Sequence, residues 1–277
     1  MRLLRGGSRP NVVGGLLGWA WLLVAVVPIY YIVITSLRTQ ADYYVENPLS
    51  PPGRPTLKAY ADVFKNDFWT YFLNSVVVTV ATVSIILVVS FMAAYVIVRS
   101  RTAFSSRIFS LFLLGIAIPI QATIVPVYYL IVQIGLYDTL WALILPSAAF
   151  AIPISVLILT NFLRDVPREL FESMKVDGAT DWQMLWRLAA PMCRPALVTV
   201  AIYDALNVWN GFLFPLVLTQ SADNRVLPLS LWSFQGAFSA NTPAILAAVV
   251  LSALPLIVAY AFGRRQMVAG LTAGVGK

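Results

Sequence analysis

From Val12 to Leu37 the chain carries no charged side chain. Further apolar stretches follow: Phe72 to Val98, Ile108 to Gln133, Leu140 to Leu163, Ala196 to Leu218 and Ala244 to Gly263. About 20 such residues make a helix that crosses a bilayer. The first run follows Arg2, Arg5 and Arg9, as the core of a signal peptide would. It is too long for that core and no small-residue cleavage site follows it, so it reads as a retained span, Gly15 to Ser36. Composition agrees: 60% of residues are hydrophobic and 11% charged, where soluble domains carry about 25% charged. The expected fold class is all-α: a polytopic membrane protein with six transmembrane helices, forming one domain over residues 1–277.

Charge placement sets the orientation. Of the 19 Lys and Arg residues, only Arg38, Arg54, Lys58, Lys65 and Arg225 fall on the outer side when the N-terminus is placed inside. The excess of positive charge on inner segments predicts a cytoplasmic (inner) membrane protein with both termini in the cytoplasm. The net charge of +7 follows from that asymmetry. It forms no long basic patch, and nucleic acid is not an expected partner. The single cysteine, Cys193, excludes an internal disulfide, and a chain without histidine has no histidine metal site or general base. No catalytic residue set and no metal site are expected. A phosphate-binding G-x-x-x-x-G-K-[ST] loop is also missing, so the chain does not hydrolyse ATP alone.

Between the spans, prolines 48, 51, 52 and 55 mark residues 38–71 as a loop, with a short interfacial helix expected over Leu57 to Phe68. Its aromatics, Tyr43, Tyr44, Tyr60, Trp69 and Tyr71, fit an interfacial belt. Asn74, Ser75, Thr79, Thr82, Ser84 and Ser90 dot the second span and are expected to pack against neighbouring helices. Pro119, Gln121 and Pro126 predict a kink or break in the third.

One charged interruption, residues 164–195, stands out. Asp165 and Pro167 sit where a helix should begin, as an anionic cap and a first-turn proline. Gly178 can take the left-handed conformation that ends that helix. Thr180 and Gln183 have the form of a capping box, so a second helix starts at once. Trp182, Leu185, Trp186 and Ala189 give it an apolar face, and Pro191 and Pro195 are expected to stop it. A short helix–turn–helix with an apolar stripe suits a groove on another protein.

A second constellation lies inside the membrane. Asp204 is the one carboxylate well within a span, and a charge there is a functional-site hypothesis by default. Tyr203, Asn207, Asn210 and Phe214 follow i, i+4, i+7, i+11 spacing, which predicts one face of the fifth helix. Amides beside aromatic rings suit a sugar or polyol; the competing reading is that Asp204 and Asn207 hold helices together. Gln121, beside Pro119, is a further lining candidate. One carboxylate and no histidine argue against a proton-coupled machine.

The stretch Asp177-Gly178-Ala179-Thr180, with Glu172 before it and Pro191 after it, resembles the cytoplasmic "EAA" loop of binding-protein-dependent ABC importer permeases. Ser173 and Met174 stand where that pattern has two alanines. Trp209-Asn210 with Phe212 and Pro215 resembles the fifth helix of these proteins, and the tail from Val268 to Gly274 resembles their C-terminus. The likeness spans nearly the whole chain and is to carbohydrate-uptake permeases of the type of the maltose system's smaller permease, with a type I importer fold. It implies transport of a sugar or oligosaccharide delivered by an extracytoplasmic binding protein. The implied assembly holds a second homologous permease and two ATPase subunits, with ATP and Mg on the ATPases and no cofactor on this chain. Glu169, Glu172, Ser173, Met174, Asp177, Gly178, Ala179, Thr180 and Pro191 would form the ATPase-coupling segment. The alternatives are an ion-coupled transporter working without an ATPase and a permease for glycerol phosphate or a related polyol.

Overall fold

The computed structural model describes residues 12–100, 102–234 and 240–273. Arg2, Arg5, Arg9, Arg101 and Gly274 to Lys277 lie outside the described residues, as do the side chains of 262–273. The described chain is α-helical. Its helices group into two compact units, Met1–Asn66 with Phe234–Leu251, and Asp67–Ser233 with Ser252–Lys277.

In the first unit α1 (Val12–Ser36) is long and apolar enough to cross a membrane. Most of its surface is exposed, which suits a helix whose surroundings are lipid or another subunit. Two helices follow in the loop, α2 (Gln40–Val45) and α3 (Lys58–Lys65). The latter matches the expected interfacial helix. The former was missed, although its signal is present: Thr39 Oγ1 accepts from the Asp42 N–H and so caps it. Arg38 is buried and organises this loop. Its Nε lies 3.1 Å from Glu46 Oε2, and its Nη2 donates to the carbonyls of Asn47 and Ser50. Tyr60 bonds through its hydroxyl to Ser36 Oγ at 2.8 Å, so it is a packing residue rather than a free anchor.

The second unit is built on two long helices, α4 (Phe68–Ser100) and α7 (Trp141–Arg164), packed along much of their length. Between them the third expected span is broken. Helices α5 (Ala103–Ile116) and α6 (Ile120–Gln133) meet at 103°, where Pro119 cannot continue the ladder and serves as the cap of α6. Tyr71 is buried in this unit rather than placed in a belt. Next come α8 (Arg168–Val176), α9 (Asp181–Met184), α10 (Ala190–Met192), α11 (Arg194–Trp209), α12 (Leu213–Leu218) and α13 (Leu227–Ser230). The last helix, α14 (Thr242–Ala273), begins in the first unit.

The fifth span is therefore not one continuous helix. After Trp209 the ladder tightens, with Asn210 as the C-cap and the Gly211 N–H bonded to the Val208 carbonyl. A Cβ at Gly211 would lie 3.0 Å from that carbonyl oxygen, so any side chain there would press on the close turn. Pro215 has no N–H to extend the ladder back across Gly211. Among the described residues, the continuous apolar helices long enough to span are α1, α4 and α7; α5 with α6, and 181–192 with α11, are bent pairs.

The two ends of the second unit differ. At one, Asn74 Nδ2 donates to the carbonyls of Asp223 and Arg225, and Ser75 Oγ accepts from the Leu227 N–H. Asp138 lies at the same end with φ of 57°. Burial opposes its charge, but donors from the Gln220 and Ser221 N–H groups and the Ser221 hydroxyl outweigh it and hold its pKa below the ordinary value. The segment 164–195 packs at the opposite end of α4.

Candidate functional site

The charged segment is held from below by its few apolar residues. Phe171 is buried against Tyr95 of α4, ring centroids 6.3 Å apart, with the Arg99 guanidinium 4.5 Å above its ring. Met184, Leu185 and Ala189 join the same core, which continues through Cys193 and Ala196 to Val200 of α11. The polar residues point away: Glu169, Glu172, Ser173, Asp177, Gly178, Thr180 and Pro191 are exposed, while Met174 and Ala179 are half-buried. Val176 stands 88% exposed at the tip of α8. An apolar side chain so placed is free to enter a partner's groove.

The turn has the expected form. Gly178 sits at φ 80°. Its N–H bonds to the Lys175 carbonyl at 3.1 Å, and the Ala179 N–H to Met174 at 2.9 Å. These are the paired bonds of a glycine-terminated helix. Thr180 and Gln183 form a complete capping box.

Three details differ from the sequence reading. The cap of α8 is Pro167, and Asp165 instead ends α7. Proline fixes the extended entry that the anionic cap was expected to provide. Pro191 does not stop the second helix. A π-turn over Leu185–Ala189 precedes it, with the Ala190 N–H bonded to Leu185, five residues back. Widening the turn relieves the clash between the proline ring and the preceding carbonyls. The helix ends at Cys193, where the chain bends by 77° into α11. Finally, Trp182 and Trp186 flank the buried stripe as an exposed edge-to-face pair, 5.6 Å between centroids.

Further along α11 a cavity of about 310 Å³ opens in the same unit. Tyr203, Asp204, Asn207 and Phe214 line it; Asn210 and Gln121 do not. The broken fifth helix explains the split: Phe214 reaches the cavity from α12, beside Phe150 with centroids 5.8 Å apart. Asn207 and Asn210 each donate an amide N–H to the carbonyl four residues earlier, Tyr203 and Leu206, and of the two Asn207 borders the cavity. Asp204 is buried and accepts a 2.9 Å hydrogen bond from Ser155 of α7. It thus ties α11 to α7 as well as facing the cavity. Ser155 was not singled out from sequence, and nothing local distinguishes it from the other hydroxyls of the spans.

A family model for binding-protein-dependent transport system inner membrane components matches residues 86–267, which include both regions. The chain belongs to this family. A putative ABC transporter permease of Caldicellulosiruptor sp. strain Rt8B.4 is 40% identical over 93% of this chain and 94% of its own length. A diacetylchitobiose uptake system permease of Streptomyces coelicolor is 31% identical over 100% of this chain and 99% of its own. In a solved bacterial ABC transporter involved in import of the acidic polysaccharide alginate, one chain superposes with a TM-score of 0.81. It covers 92% of this chain and 95% of that one at 21% identity. This permease therefore has the ABC importer fold and is a transport component, not an enzyme. Membership sets aside the ion-coupled reading.

Proposed function

We propose that this permease moves a neutral sugar or oligosaccharide across the cytoplasmic membrane, powered by separate ATPase subunits that grip residues 164–195. The carrying observation is the unbroken core from Phe171 through Leu185 and Cys193 to Val200, one turn short of Asp204 and the cavity. A force on the exposed turn is thereby passed to the helix that lines the cavity. Glu169, Glu172, Asp177 and Val176 would face the ATPase, with both termini on that side. The loops near Asp138 and Asn224 would face the binding protein that the family description names. A second homologous permease would complete the pathway.

Cavity chemistry favours a neutral substrate. Its lining has Tyr203, Asn207, two serines and aromatic rings, with one carboxylate and no lysine or arginine. Amides and hydroxyls bond sugar hydroxyls, and rings stack on their apolar faces. A glycerol phosphate would find no cation there. The relative named for diacetylchitobiose uptake agrees with a saccharide. The test is uptake of labelled di- and oligosaccharides into proteoliposomes holding the complete assembly. Uptake that needs ATP and falls in Asn207→Ala supports the reading. Uptake without ATP, or no saccharide transported, overturns it.

A further inference from the structure

A second cavity, of about 570 Å³, lies beside the coupling segment where α4, α5, α7 and α8 converge. Arg99, Arg164 and Arg168 line it with one carboxylate, Glu172, so its formal charge is positive. None of the three arginines is in an ion pair; among the described residues the one salt bridge is Arg38 with Glu46. Two of the guanidiniums are instead laid on aromatic rings, Arg99 over Phe171 at 4.5 Å and Arg164 over Phe109 at 5.3 Å. The Nε of Arg99 is buried with no hydrogen-bond partner. Stacking fixes the planes of the guanidiniums and neither is bonded to a carboxylate, which leaves in-plane N–H groups, the Arg99 Nε among them, for a phosphate. Hydroxyls of Thr102, Ser105 and Ser106 border the same space.

The surroundings identify the bearer of the phosphate. From this cavity α5 runs with exposed Phe104, Leu111 and Leu114, each 65% exposed or more. That apolar flank would lie along acyl chains while the arginines sit at headgroup depth. Basic pockets of this kind between helices on the cytoplasmic side hold lipid phosphates. We infer that this cavity binds the phosphate of an anionic lipid from the cytoplasmic leaflet, directly beside the helix that couples to the ATPase. The inference rests on the orientation given under the proposed function. It adds a dependence of coupling on membrane lipid, because Phe171 and Arg168 belong to the coupling helix and to the cavity wall.

The test is native mass spectrometry of the purified complex with phosphatidylglycerol or phosphatidylcholine of equal chain length. Wild type should retain phosphatidylglycerol in preference to phosphatidylcholine. Each arginine near a membrane surface changes lipid affinity about fivefold, so Arg164→Gln with Arg168→Gln should weaken phosphatidylglycerol retention about 30-fold. Gly178→Ala should leave retention unchanged even where uptake falls, which separates this inference from the coupling reading. Arg164→Lys with Arg168→Lys should retain part of the binding and guards against a folding defect. Equal retention of both lipids, no loss in the glutamine variant, or displacement by millimolar inorganic phosphate would each overturn the assignment.

Discussion

Replacing Gly178 with alanine isolates the geometry of the coupling turn. No atom lies within 4 Å of a Cβ built at this position, so the substitution introduces no clash. The cost is conformational: a non-glycine residue held left-handed loses about 1–2 kcal/mol. The turn is closed by two backbone bonds, Gly178 to Lys175 and Ala179 to Met174, each contributing about 1 kcal/mol net. The strain is thus of the same size as the bonds, and the population of the native turn relative to open forms falls about 5–30-fold. Phe171, Met184 and Leu185 stay buried, so the bundle itself is unaffected. Asparagine tolerates this conformation better than alanine, and a β-branched residue worse. Uptake and ATPase stimulation, measured in membrane vesicles at matched protein levels, should follow Gly178, then Asn, then Ala, then Val. Wild-type uptake in Gly178→Ala, or an asparagine variant worse than alanine, would refute the reasoning.

Three further outcomes are expected. Ser155→Ala leaves the buried Asp204 carboxylate without its hydroxyl donor and should cost about 1–3 kcal/mol, seen as a lowered thermal midpoint that Ser155→Thr largely restores. Phe171→Ala removes a buried ring from the anchor of α8 and should cost about 3–5 kcal/mol, read as faster proteolysis within 164–195. Asp138 has a depressed pKa, so its contribution is present above the ordinary carboxylate pKa, about 3.9, and is lost as pH falls through its lower folded value. Protection of the Gln220 and Ser221 amides from hydrogen exchange should therefore drop on strong acidification in wild type and already be low in Asp138→Ala at neutral pH.

Much of the fold could be read because lipid imposes a simple rule on composition. Apolar length located α1, α4 and α7, and Pro119 located the break between α5 and α6, while Pro126 sits inside α6 without breaking it. Turn chemistry was equally local: Gly178 and the Thr180–Gln183 box depend on residues within one turn of each other. What escaped was set by tertiary context. The break at Gly211 depends on a carbonyl three residues earlier, and an i, i+4, i+7, i+11 stripe assumes the helix continues through it. Asp204 was conspicuous as a charge, but its partner Ser155 sits on another helix and could not be chosen among similar hydroxyls. Arg99 and Arg164 were read only as orientation charges, since their rings, Phe171 and Phe109, come from other elements.

The most direct measurement is co-purification of the tagged chain in gentle detergent, from wild type and from Val176→Asp, which places a charge on the most exposed apolar tip of α8. The account predicts that wild type brings down an ATPase and a second membrane-spanning permease, and that Val176→Asp loses the ATPase while keeping the permease. Retention of the ATPase by the variant at wild-type stoichiometry, or a wild-type chain that purifies without any ATPase, would contradict it.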